Sequence, residues 1–95
     1  MAGGEELVVP FVVARKMGTA ATLQTLLKGA VARALQEPGL MLRLQHQSSE
    51  FFMTVRVTPD TGKLVVAGGG MHHAMLKLYA DHARDCFDSM RNQKA

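Results

Sequence analysis

The chain has 95 residues, is 47% hydrophobic with no Trp, and sets 11 Lys and Arg against 8 Asp and Glu for a net charge of +3. This is one domain's worth of chain with apolar material for a single core, and its mild basicity permits an acidic or nucleic-acid partner without demanding one. A lone cysteine, Cys86, excludes an internal disulfide and fits a reducing, cytoplasmic setting, while the longest apolar run, LVVPFVVA, is far too short to cross a membrane.

The start, MAGGEEL, has neither the basic stretch of a secretory signal nor the Arg-rich amphipathic pattern of a mitochondrial one. Residues 1–6 read as a frayed tail. From Leu7 to Arg15 the chain is apolar on both alternations and rich in β-branched residues, the pattern of a strand that wants cover on both faces. Pro10 cannot donate to a ladder, so this strand belongs at an edge or carries a bulge.

Thr19 is placed to cap a helix running to Gln36, with Leu23, Leu26, Leu27, Ala30, Val31, Ala34 and Leu35 on one face. Glu37-Pro38-Gly39 stops it, because proline disfavours helical geometry in the residue before it. Leu40–Gln47 and Phe51–Thr58 each alternate apolar with polar, and Lys63–Ala67 makes a third short strand after the turn Pro59-Asp60-Thr61-Gly62. Three glycines, Gly68 to Gly70, lead into a second helix over Met71–Met90. Residues 92–95 read as a second frayed tail. The expected architecture is a single α+β domain over residues 1–95, in the order β-α-β-β-β-α. Its sheet is an antiparallel meander with two helices packed on it.

The run from Gly68 to Cys86 invites several chemical readings. The glycines match neither a Walker loop, which needs Lys then Ser or Thr where Met71, His72 and His73 stand, nor a complete dinucleotide fingerprint. A turn that excludes large side chains is the better reading. His82 and Cys86, four apart, share a helix face, yet two ligands do not make a zinc site, and His46 is not compelled to approach them. A thiol activated by His82 lacks an orienting acid and an oxyanion hole. No metal, cofactor or catalytic residue is assigned, and the chain reads as non-enzymatic.

Two surfaces remain. If a four-residue turn joins the second and third strands, Arg43 faces Arg56 on the polar side of the sheet. With Phe52 and Lys63 these form a strip suited to a phosphate backbone. The apolar material also exceeds what one layer pair can hide, which marks an interface. Its candidate residues are Pro10 and Val12 on the first strand and Leu76, Tyr79, Ala83 and Phe87 on the last helix.

In element order the chain resembles two small scaffolds. One is the roadblock/longin-type domain, which normally carries a further element before the first strand. The other is the Alu-domain-binding small subunit of the signal recognition particle, which lacks the extra strand and is more basic. The first resemblance implies a dimerising assembly module in a larger cytoplasmic complex, with a protein partner in a homo- or hetero-dimer and no membrane. The second implies an RNA-binding subunit using Arg43, Phe52, Arg56 and Lys63.

Overall fold

A computed structural model describes residues 5–13, 16, 18–47 and 50–93. Its elements are β1 (Glu6–Phe11), α1 (Gly18–Gln36), β2 (Met41–His46), β3 (Phe52–Val57), β4 (Leu64–Gly69) and α2 (His73–Asn92). The α+β class and the element order are those expected. β1 begins at Glu6 and α2 runs to Asn92, both inside segments read as tails, while residues 1–4, 94 and 95 lie outside the described residues, as do Ala14 and Arg15 of the first expected strand.

The strands lie side by side in the order β1-β2-β3-β4. β2, β3 and β4 form the expected antiparallel meander, but β1 pairs with β2 in parallel, so the sheet is mixed. The cause is connectivity: a helix between two adjacent strands returns the chain to the end at which it started, so the second strand must run the same way as the first. β1 lies at the edge of the sheet, one of the two placements that Pro10 allows.

Alternation decides the faces. Leu42, Leu44, Met53, Val55, Val57 and Leu64 are buried with α1's Leu23, Leu27, Ala30, Val31 and Ala34 and α2's Tyr79, Ala83 and Phe87. Each large apolar side chain sequestered this way contributes about 1.5–3 kcal/mol before chain entropy is set against it. α1 lies over β2 and β3, α2 lies over β4, and the helices touch each other. Both therefore occupy one face, and no described helix covers the other face of the sheet.

Local signals set the helix limits. Thr19, the expected cap, lies inside the first turn of α1, where Thr22 Oγ1 donates to Gly18 O at 2.7 Å. At the far end Gly39 turns with φ +95° and its N–H donates to Val57 O at 2.9 Å, tying the helix exit to β3. His72 caps α2, its Nδ1 accepting from Ala74 N at 3.2 Å.

The glycine run is a packing device. Gly68 and Gly69 extend β4, and Gly70 turns with φ +72° against the backbone of Glu50, where an added Cβ would stand 2.5 Å from Glu50 O. Gly62 also has positive φ, +66°, but open space around it. In urea titrations Gly62→Ala is therefore expected to cost about 1 kcal/mol, from backbone strain alone. Gly70→Ala, with strain and a backbone clash, is expected to cost about 3 kcal/mol or more. Equal losses would mean that the close approach to Glu50 is absent.

Tyr79 is fully buried, and its hydroxyl has no partner among the described residues. Burial raises its pKa above the ordinary 10.0, and burial likewise raises that of Cys86 above 9.0, opposed in part by Lys28. Both groups hold their protons more tightly when folded. Their contribution is whole below the unfolded values and is lost as pH rises through the folded ones. Stability should thus fall above about pH 9. Tyr79→Phe removes an unsatisfied hydroxyl and should leave stability at pH 7 unchanged or higher by up to about 1 kcal/mol, with a smaller alkaline loss. A clear destabilisation at pH 7 would show that the hydroxyl is bonded.

Candidate assembly surfaces

Val9 and Phe11 pack against the core, but neither described helix lies directly over β1. Its inward side chains, Leu7, Val9 and Phe11, alternate toward the helix side. Only Phe11 is buried, held edge-on by His46 at 5.3 Å and by Phe51 at 6.1 Å between ring centroids. Leu7 is 40% exposed, and between β1 and α1 lies a groove of about 280 Å³. Leu7, Val9, Leu26, Ala30, Leu42 and Leu44 make it apolar, and Arg33, paired with Glu37 at 3.2 Å, stands on its rim. On the outward side of the strand Val8 is 49% exposed and Pro10 is exposed, and beyond the strand Val12 is 61% exposed.

Gly29 lines the same groove. It sits mid-helix without positive φ, and a Cβ built there meets nothing within 4 Å. Nothing in the described chain requires glycine here, although glycine in a helix interior costs about 1 kcal/mol relative to alanine. Nothing in the apolar periodicity of α1 marks this residue, because the groove it faces exists only once β1 is placed.

The anticipated α2 flank needs correction. Tyr79, Ala83 and Phe87 are 0%, 0% and 5% exposed and belong to the core, and Leu76 is partly buried against it. They are unavailable to a partner because α2 must seal both β4 and α1. The exposed apolar residues of α2 are Met75 and Leu78.

The sheet face that no described helix covers carries the expected polar residues in a different register. Between β2 and β3, Arg43 pairs with Thr54 and Gln45 with Phe52, whereas Arg56 pairs with Val65 as expected. The two arginines are therefore diagonal rather than opposite. The strands close at His46 and Phe51, through His46 N to Phe51 O at 3.0 Å, one residue earlier on each strand than the closure at Gln47 and Phe52 that would align Arg43 with Arg56. The guanidinium of Arg43 lies 4.1 Å over the Phe52 ring, and its Nε donates to Gln45 Oε1 at 3.1 Å. Stacking and hydrogen bonding thus engage both residues within the face. Arg56 Nε is buried without a hydrogen-bond partner among the described residues, and Lys63 is exposed at the β3–β4 turn.

His82 and Cys86 do come together, with Sγ 3.6 Å from Nε2. The same Nε2 lies 3.3 Å from Gln24 O, which can only accept, and in the tautomer that donates to this carbonyl the nitrogen has no lone pair for the thiol proton. Among the described residues no group of three or more His, Cys, Asp and Glu could hold a metal. His72 is engaged as a helix cap and His46 packs on Phe11. No described helix is long and apolar enough to cross a membrane.

No protein-family model, curated protein or solved structure matches the chain. The likeness in element order to two small scaffolds assigns no residue.

Burial leaves Cys86 mostly as a neutral thiol near neutral pH. Iodoacetamide at pH 8 should label it about tenfold more slowly in the native protein than in the urea-unfolded chain. Native labelling as fast as that of the unfolded chain, with an inflection below pH 7, would instead identify an activated nucleophile.

Proposed function

We propose that this protein is a non-enzymatic assembly module: a small α+β subunit that associates through its β1 side and contributes surface to a larger cytoplasmic complex. The observation that carries this reading is the groove beside β1 with Gly29 on its wall. An apolar strand face that the helices cover only in part, with Leu7 exposed beside the groove, is a local excess of hydrophobic surface, the usual mark of an interface. A glycine with no intramolecular reason sits where a second molecule would approach the α1 backbone. The arrangement of His82 and Cys86 supports no catalytic step.

An RNA-binding subunit is the second reading, drawn from Arg43, Phe52, Arg56 and Lys63. It is supported by two arginines on a sheet face that no helix covers. The internal stacking of Arg43 on Phe52 weakens it, because it occupies the ring that would receive a base.

Native mass spectrometry of the protein drawn from its own cells separates these readings. The assembly reading expects protein complexes for wild type and weaker ones for Gly29→Ala, even though that change should raise the stability of the isolated chain by about 0.5–1 kcal/mol. Gly29→Leu fills the groove and should release the free chain. Recovery of wild type at the mass of one chain overturns the reading, and recovery with nucleotide mass alone replaces it with the second.

A further inference from the structure

The backbone hydrogen bonds of β1 reveal which of its groups are free. Met41 N donates to Glu5 O and Gln47 N to Phe11 O, each at 3.0 Å, at the two ends of the parallel ladder. In a parallel pair alternate residues direct both N–H and C=O to one neighbour. Residues 5, 7, 9 and 11 therefore face β2, and Glu6, Val8, Pro10 and Val12 face the open edge. The proline stands at an outward position, where its missing N–H costs the β1–β2 ladder nothing.

We infer that a second copy of this chain adds its β1 to that edge in antiparallel alignment about a two-fold axis, forming one continuous sheet. The inference rests on the assembly reading and names its partner. Centring on Val8 makes best use of the strand: the two Val8 residues exchange both their hydrogen bonds, and each Glu6 N–H reaches the Pro10 carbonyl of the other copy. Across the two copies only the two donors that the prolines lack are lost, and all four bonds fall within β1. Centring on Pro10 would lose the same two donors, leave the central pair unbonded and depend on Val12, beyond the end of β1. Parallel addition would align Glu5 and Glu6 with their own copies, whereas the antiparallel arrangement directs this acidic start toward the segment beyond β1 that carries Lys16. Leu7 and Val9 of both copies then lie side by side on the helix face, joining the two grooves into one apolar floor. The opposite edge is less suited. β4 ends in Gly68 and Gly69, which offer no side chains to such an interface, and α2 covers its inward face. One strand pair is a modest contact compared with the roughly 1,200–2,000 Å² of a standard interface, so association in the micromolar range is expected.

The test uses the full chain carrying Cys86→Ser, so that no native thiol competes. Val8→Cys places two sulfurs at a hydrogen-bonded antiparallel pair with Cα atoms about 5.5 Å apart, within disulfide reach. Mild oxidation should give a covalent dimer, and Val65→Cys on β4 should not. In sedimentation, unmodified protein at about 100 μM should run as a dimer by the micromolar expectation above. Val8→Pro, which deletes only an outward N–H, should weaken the dimer at least about tenfold. Three results overturn the inference: purified wild type running as a single chain, Val8→Cys cross-linking no faster than Val65→Cys, or a dimer unmoved by Val8→Pro. Any of these, with complexes still recovered from cells, removes the second copy as partner and leaves the assembly reading standing. A single chain in both settings removes both.

Discussion

The packing of α1 against α2 decides what the rest of the molecule can do. Helices are about 10 Å across and strands about 4.8 Å apart, so two adjacent helices span roughly the width of four strands. Here the pair is displaced toward β4, with α1 over β2 and β3 and α2 over β4. The apolar stripe of α1 must serve two neighbours, the sheet and α2, and that double duty fixes its lateral position. Tyr79, Ala83 and Phe87 are drawn into the seam, and β1 is left outside it. The groove beside β1 is a consequence of helix pairing rather than of any feature of β1 itself.

Much of this was legible from residue periodicity. The alternation of Leu42, Leu44, Met53, Val55 and Val57 specifies which side of the meander is buried, because a side-chain period of two leaves one consistent choice. Pro10 specifies an edge. Two things resisted. The orientation of β1 follows from a long-range return of the chain through α1, which no local pattern encodes. The flank of α2 that turns inward was ambiguous because its apolar sector is wider than one contact needs, and only the position of α1 selects Tyr79, Ala83 and Phe87 over Met75 and Leu78.

The pairing of β2 with β3 shows how a small error propagates. Assuming closure at Gln47 and Phe52 sets Arg43 opposite Arg56, a repulsive pair. The observed pairs, Arg43 with Thr54 and Gln45 with Phe52, move the partners by two residues and keep every side chain on its face. A shift by an even number preserves burial, so hydrophobic pattern alone cannot distinguish the two registers. Charge distinguishes them, since the observed one separates the arginines and lets Arg43 stack on Phe52.

Three independent features converge on one corner of the molecule: an apolar strand face that the helices cover only in part, a proline whose missing donor points outward, and a mid-helix glycine facing open space. Each has a local cost or risk. Exposed apolar surface invites aggregation, a free edge invites wrong pairing, and glycine weakens α1 by about 1 kcal/mol. A domain this small has a total stability of roughly 5–15 kcal/mol, so a penalty of that size is a substantial fraction. Pro10 also limits the risk at the edge, because an incoming strand finds one donor fewer there and extended pairing with unrelated chains is disfavoured. A surface that stays apolar yet restricts what can pair with it is what the proposed assembly role requires, and Leu7, Val8, Val9 and Gly29 are the residues on which that proposal stands.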